Sequence, residues 1–220
     1  MEKIIQGVRH FHDKVFPAKK ALFQKLAKQQ RPRALFIACS DSRVHPNLIT
    51  QTDPGELFIM RNPGNMVPAY HAGDDSESAT IEFAVAKLDV IDIIVCGHSD
   101  CGAMNALMQP TPPNGLPAVT SWLRHAEGTR RVVSTNYGRL PLKKQVKLAI
   151  ERNVLIQLDN LRTHPSVAAK LAAGNLRLHA WTYDIATGDV AAYDCVSNQF
   201  RSLTQRGQTA QSAKRARRSR

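Results

Sequence analysis

Short apolar runs alternate with amphipathic stretches along most of this chain, and this alternation most constrains its fold. The runs at 34–40 (ALFIACS), 57–60 (LFIM) and 90–97 (VIDIIVCG) are bounded by Pro, Gly or Asp, as buried strands are. The segment 76–89 has a polar start and the 3.6-residue period of a helix. Repeated strand, helix, strand order predicts an α/β protein with a mainly parallel sheet and crossover helices.

The two ends of the chain carry different patterns. Residues 2–29 place apolar side chains three or four apart among Lys and Gln, which predicts one or two amphipathic helices interrupted near Pro17. Residues 176–196 alternate apolar and polar positions around ATGD, which predicts a hairpin ending in an antiparallel edge strand. With helical patterns at 117–127 and 142–173, we predict a sheet of about four to five strands, flanking helices and an N-terminal helical arm.

The net charge of +12 has an uneven distribution along the 220 residues. Seven Lys or Arg residues and no acid lie in 201–220, so the rest of the chain is only mildly basic. The last 16 residues are too poor in apolar side chains to offset their ordering entropy. We predict three parts: an arm over 1–33, an α/β catalytic domain over 34–204, and a basic disordered tail over 205–220.

The apolar runs and the cysteines indicate the compartment. No run approaches the roughly 20 residues that cross a bilayer, and the first ten residues lack the apolar core of a signal peptide. We therefore expect a cytoplasmic protein without membrane contact. Four scattered cysteines do not form a disulfide framework, and Cys96 and Cys195, inside strand patterns, are expected in the core.

The other two cysteines follow strand patterns at comparable places. Cys39 begins CSDSR at the end of one predicted strand, and His98 and Cys101 lie three apart in HSDC after another. Because the carboxyl ends of parallel strands meet at one edge of a sheet, we expect these side chains to converge. Two thiolates and an imidazole suit Zn²⁺ in tetrahedral geometry and leave a fourth position open.

Asp41 is the nearest candidate for that fourth position. Its carboxylate could coordinate the metal, or it could withdraw and accept a bidentate pair of hydrogen bonds from Arg43. We predict that Asp41 and Arg43 control access to the metal, with Asp41 a conditional fourth ligand.

These residues resemble the β-class carbonic anhydrases. Cys39, Asp41 and Arg43 match the C-x-D-x-R motif of that family, and His98 and Cys101 match its H-x-x-C motif. The similarity extends over roughly residues 2–204 and includes cyanate-associated bacterial, cyanobacterial and plant-type members. It implies one Zn²⁺ per subunit and reversible hydration of CO₂ to bicarbonate and a proton by attack of zinc-bound hydroxide.

The resemblance also implies a substrate pocket and an assembly. Gln30, Phe58 and Phe83 match positions that line the plant-type pocket, although position 83 usually carries Tyr, and the backbone N–H of Gly102 is the expected donor to bicarbonate. Members of the family are obligate dimers or larger homo-oligomers, with N-terminal helices reaching across a partner and active sites at the dimer interface.

Two alternatives remain open. A structural zinc could stabilise a nucleic-acid-binding protein whose basic tail supplies affinity, although the body contains no recognition motif and nonspecific tail contact is all we expect. The same scaffold could instead hydrolyse another small substrate, such as CS₂ or COS, which only the shape of the pocket distinguishes.

Overall fold

A six-stranded sheet forms the centre of the fold in the computed structural model, which describes residues 1–71 and 75–204. The order is β2-β1-β3-β4-β5-β6. The strands are β1 Ala34–Cys39, β2 Leu57–Asn62, β3 Asp92–His98, β4 Arg177–Tyr183, β5 Val190–Asp194 and β6 Gln199–Ser202. The first four strands are parallel to one another, and β5 is antiparallel to both of its neighbours, β4 and β6, which confirms the α/β class and the hairpin.

Buried side chains pack on both faces of the sheet, and its central strands are accordingly continuous apolar runs. Every residue of β1 is buried. Leu35, Ile37 and their β3 neighbours pack on one face in the largest core cluster, while Phe36 and Ala38 pack on the other. This alternation follows from the two-residue period of a strand. Because both faces of β1 are packed in the core, the end of the strand has a well-defined position.

The remaining elements are helical. Beyond the arm they are α4 Pro46–Thr50, α5 Ser76–Glu82 with a π-helical extension Phe83–Lys87, α6 Gly102–Met108, α7 Pro117–Leu123 with a 3₁₀ turn Arg124–Ala126, α8 Glu127–Tyr137, α9 Leu142–Thr163 and α10 Pro165–Ala172. None of the helices in the described ranges is both long enough and apolar enough to cross a membrane.

The arm consists of α1 Glu2–His10, a π-helical segment Phe11–Val15, α2 Phe16–Ala18 and α3 Lys20–Leu26. None of these described residues is buried. The rings of Phe11, Phe16 and Phe23 pack together with centroids 5.3 to 6.3 Å apart. The helical path breaks at Lys19, two residues after Pro17.

Several details differ from the sequence predictions. The sheet has six strands, not four to five, because the short polar segment Gln199–Ser202 pairs with β5 and adds a second antiparallel strand. Helix α8 lies where no helix was predicted beyond residue 127. Cys195 is exposed just after β5, so its core assignment was wrong, whereas Cys96 is buried. The tail predicted for 205–220 lies outside the described residues, and the three-part division stays a prediction.

Candidate metal centre and active site

The two cysteine motifs meet at the carboxyl edge of the sheet. Cys39 is the last residue of β1, His98 is the last residue of β3, and Cys101 caps the start of α6. Because β1 and β3 are parallel neighbours, their ends lie side by side. The ligand atoms of Cys39, His98 and Cys101 all lie within 4.8 Å of one another. The convergence predicted from the sequence is therefore present.

The donor set fits a tetrahedral zinc ion. Zn–S bonds of about 2.3 Å place two sulfurs roughly 3.8 Å apart, and the Sγ atoms of Cys39 and Cys101 are 4.0 Å apart. His98 Nδ1 lies 2.9 Å from the carbonyl oxygen of Ser99. When Nδ1 donates its proton there, Nε2 keeps a free lone pair for a metal. Nε2 is buried and has no hydrogen-bond partner among residues 1–71 and 75–204.

The two thiols influence each other strongly. The pKa of Cys39 is lowered, first because its sulfur accepts a hydrogen bond from Cys101, with His98 and Gly64 contributing. The pKa of Cys101 is raised, first because it donates that bond and also because it is buried. A divalent cation between the sulfurs would favour the thiolate form of both, since each negative charge would then face a positive one.

Asp41 points at Arg43 from the edge of this cluster. Its Oδ1 accepts from the backbone N and Nε of Arg43 at 3.0 and 2.9 Å, and its Oδ2 accepts from Nη2 at 2.8 Å. The pKa of Asp41 is therefore held well below its ordinary value, first by the Arg43 side chain. Its Oδ2 is also 3.9 Å from His98 Nε2. The carboxylate is therefore turned toward Arg43 and does not join the three potential metal donors, although it lies close to His98.

Arg61 and Gly64 contact the centre without belonging to either motif. Arg61, on β2, donates from Nε to the carbonyl oxygen of Cys39 at 3.0 Å and from Nη2 to that of Asp41 at 2.8 Å. The backbone N–H of Gly64 donates to the Sγ of Cys39 at 3.3 Å. Neither contact was predicted from the sequence, because no local pattern indicates which sulfur the N–H of Gly64 faces.

A largely apolar cavity of about 620 Å³ lies beside the metal centre. Its lining includes Gly102, directly after Cys101, together with Pro63, Val119 and Trp122. The Trp122 indole N–H donates to the carbonyl oxygen of Pro63 at 2.8 Å, which fixes this wall. A Cβ on Gly102 would meet no atom within 4 Å. The Cα of Gly102 therefore borders open space, and the role of its N–H in binding bicarbonate stays a prediction.

The other predicted pocket residues lie elsewhere in the chain. Phe58 pairs in register with Leu35, which lies four residues before Cys39 on β1. Phe58 is therefore about 13 Å along the strand direction from the end of β1 that carries Cys39. Phe58 and Phe83 pack with ring centroids 6.0 Å apart, and Phe83 is 45% exposed. Gln30 is exposed just before β1 begins. Within one chain, these three residues do not adjoin the metal centre.

Fold and site together define a class: an α/β protein with a buried two-cysteine, one-histidine metal site that leaves a fourth position open. The family model described as "Carbonic anhydrase" matches residues 34–190. A carbonic anhydrase of Pseudomonas aeruginosa is 49% identical over 205 residues, covering 93% of both chains.

Solved structures agree with the family match. The β-carbonic anhydrase CcaA superposes with a TM-score of 0.90 at 45% identity, covering 92% of this chain and 98% of that one. A β-carbonic anhydrase of Sordaria macrospora, described as tetrameric, gives a TM-score of 0.80 at 28% identity, covering 88% and 96%. The chain therefore belongs to the carbonic anhydrase family, with the fold of its β class.

Proposed function

We propose that Cys39, His98 and Cys101 hold the catalytic zinc of this carbonic anhydrase, and that Asp41 and Arg43 direct its reaction. Zinc dependence and carbonic anhydrase activity follow from membership of the family. The roles of individual residues rest chiefly on one observation. Asp41, bound in bidentate fashion by Arg43, presents Oδ2 at 3.9 Å from Nε2 of His98, which has no hydrogen-bond partner in the part of the chain that the structure describes.

The chain's own groups orient the reactants. Zinc held at this site would make hydroxide available at neutral pH, an effect for which carbonic anhydrases are the standard example. Asp41 stays ionised because Arg43 donates to both of its oxygens. An ionised carboxylate only accepts hydrogen bonds, so Asp41 holds the hydrogen of the nucleophile and turns its lone pair toward the carbon of CO₂.

The surroundings of the centre suit the substrate and the product. CO₂ is small and nonpolar, and the cavity beside Gly102 is lined mainly by apolar side chains. Bicarbonate is an anion and requires a donor, which the N–H of Gly102 supplies at the open start of α6. If Arg43 releases Asp41, its carboxylate is near enough to rotate into the fourth position and shut the site. Asp41 is then the conditional fourth ligand.

We propose further that the working enzyme is a homo-oligomer, a dimer or a larger assembly. The Sordaria macrospora relative is described as tetrameric. Gln30, Phe58 and Phe83 of one copy would line the metal centre of another, since they lie at the opposite end of their own sheet. The arm supports this assembly, because α1 leaves Ile4, Ile5 and Val8 exposed and the π-helical segment after it leaves Phe11 exposed.

The cellular setting is also a proposal. Cys39, Cys96 and Cys101 are free and buried, and thiol ligands persist in a reducing compartment. This supports a cytoplasmic location, which fractionation of cells would test. Any nonspecific contact with nucleic acid would be made by the basic tail. RNA or DNA binding that weakens steeply with salt and disappears when residues 205–220 are deleted would show this contact.

The decisive experiment is stopped-flow CO₂ hydration on protein with measured zinc content. We expect the rate to rise in proportion to zinc, to a limit at one ion per chain. Hydrolysis of COS and CS₂ is assayed on the same samples, and we expect it to be far slower. Zinc-loaded protein that hydrates CO₂ no faster than buffer, or that prefers COS or CS₂, would overturn the proposal.

A further inference from the structure

The irregular segment after β2 is buried, which poses a hydrogen-bonding problem. Residues 64–68 are all buried and belong to no helix or strand. Buried backbone N–H and C=O groups require partners. Several of the partners are side chains of helix α9, while Asn62 on β2 supplies both partners of the Met66 backbone.

Polar side chains of α9 provide these partners along one stripe. Asn153 donates from Nδ2 to the carbonyl oxygen of Gly64 at 3.0 Å. Gln157 accepts from the Val67 N–H at 2.7 Å, and Asn160 donates to the Val67 carbonyl oxygen at 2.7 Å. Positions 153, 157 and 160 follow the spacing of one helix face. The stripe acts as a template for the segment.

Asn153 is the member of the stripe nearest to the metal centre. It is 1% exposed, and its Oδ1 accepts from Gln157 Nε2 at 2.9 Å and from the Thr129 hydroxyl at 3.3 Å. Two donors on Oδ1 fix the orientation of the amide, so Nδ2 must face Gly64. The carbonyl oxygen of Gly64 is thereby held, while its N–H donates to the Sγ of Cys39 at 3.3 Å.

Gly64 leaves little freedom for another arrangement. Its φ of +81° lies in the left-handed region, and an added Cβ would lie 2.9 Å from Met66 Cε and 3.0 Å from Ala103 Cβ. The residue is therefore held by Asn153 on one side and by close packing on the other. Its N–H has a fixed direction toward the sulfur.

We propose that Asn153 is a positioning residue of the metal centre, which acts through Gly64 to hold an N–H···S hydrogen bond on Cys39. This inference rests on the proposed zinc ligands, but not on the roles proposed for Asp41 and Arg43. An N–H donor stabilises the sulfur lone pairs and so limits how much charge the thiolate gives to a metal. Outer partners of metal ligands typically change metal affinity by about 10- to 100-fold.

The test uses the full chain loaded with Co²⁺, whose thiolate-to-metal charge-transfer absorption reports on the sulfurs directly. We expect Asn153→Leu to move this band to longer wavelength, because less energy is needed to remove an electron from a sulfur without its donor. Competition with a chelator should show zinc binding weakened by about tenfold, because Cys39 is held less firmly in position once its outer partner is disturbed. Thr129→Val, which removes only the hydroxyl that orients Asn153, should shift the band in the same direction by less.

Asn160→Leu is the matched control. It removes the same side chain from the same face of α9, but Asn160 contacts Val67 and Gln157, not Gly64. We expect lower thermal stability with an unchanged band and zinc affinity. Folded Asn153→Leu protein with the wild-type band would overturn the proposal, as would an equal shift in Asn160→Leu. If Asn153→Leu does not fold, an unchanged band in Thr129→Val overturns it. If the Co²⁺-loaded wild-type protein shows no charge-transfer absorption, the proposed thiolate ligands themselves are refuted.

Discussion

The two ends of the parallel sheet contrast sharply. At the carboxyl end, Cys39, His98 and Cys101 are buried, and each is supported by groups of the same chain. At the amino end, Phe58 and Phe83 form a partly exposed aromatic pair. One end contains a complete set of metal donors. The other presents apolar surface that nothing in this chain covers among the described residues.

This difference shows which parts of an active site one subunit can supply. Metal donors must be fixed to within fractions of an ångström, and strand ends in one sheet achieve this because the whole core holds them. A nonpolar pocket needs only apolar surface that excludes water, and two chains can build it together. Four predictions separate the two ends, from the largest expected effect to the smallest.

Loss of a metal ligand should have the largest effect. Cys39→Ser replaces a thiolate by a poor zinc ligand, so zinc affinity should fall by more than the roughly 100-fold that loss of an outer partner costs. Zinc per chain and CO₂ hydration measure this directly. The control is Cys195→Ser, which changes an exposed free cysteine and should leave zinc content and CO₂ hydration unchanged. Full zinc content in Cys39→Ser would refute the ligand assignment.

Arg43→Ala should separate catalysis from metal binding. Without its bidentate partner, Asp41 can move to the fourth zinc position and no longer orients the nucleophile. We expect hydration to fall by about 100- to 10,000-fold with zinc retained.

The control for this effect is Arg130→Ala. Arg130 forms a similar pair with Glu127 on the surface, with bonds of 2.7 and 2.6 Å. Activity of that variant should match the wild type. Near-normal hydration by Arg43→Ala would remove Arg43 from the mechanism.

Phe83→Ala tests the amino end. We expect zinc to stay bound and kcat/KM to fall by about tenfold, because a wall of the apolar pocket is lost. Mixing this chain with the Arg43→Ala chain, followed by reassembly, should raise activity above the sum of the two. A mixed dimer then has one site with both residues intact. Absence of any gain on mixing, in samples shown to exchange subunits, would place Phe83 at its own chain's site or at neither.

Asp92→Asn should have the smallest effect, on stability alone. The carboxylate of Asp92 accepts two hydrogen bonds from the Arg177 guanidinium, each of 2.8 Å, and it lies 2.8 Å from His179 Nε2. Its pKa is lowered, mainly by Arg177. A carboxyl group whose pKa is lower in the folded than in the unfolded state stabilises the fold at pH values above its unfolded-state pKa of about 3.9. This stabilisation is lost as the pH falls through the folded-state pKa. We expect a loss of about 1 kcal/mol at pH 7, given solvent screening.

Urea unfolding at several pH values measures this difference. It should persist from pH 8 to about 5 and shrink below about 4, where Asp92 itself gains a proton. Asp159→Asn is the control, since that carboxylate pairs with Arg162 in an exposed position. A difference that grew on acidification would contradict the assignment.

The convergence of Cys39, His98 and Cys101 was predictable because two local signals combine, a strand that ends and a potential metal donor at or just after that end. The failures occurred where local signals were weak or misleading. The strand Gln199–Ser202 is short and polar, and it exists because β5 offers it an edge. Cys195 follows an alternating pattern, yet β5 ends one residue earlier and leaves it exposed.

The sequence by itself determined the α/β class, the convergence of Cys39, His98 and Cys101, and the spacing that lets Arg43 bind Asp41, because each depends on neighbours along the chain or on the parallel order of strands. Tertiary structure alone decided that Gly64 faces Cys39, that Asn153 holds Gly64, and that Phe58 and Phe83 lie away from the metal of their own chain. Such contacts join residues about 25 to 90 positions apart. Their geometry depends on how whole elements pack, which no short segment encodes.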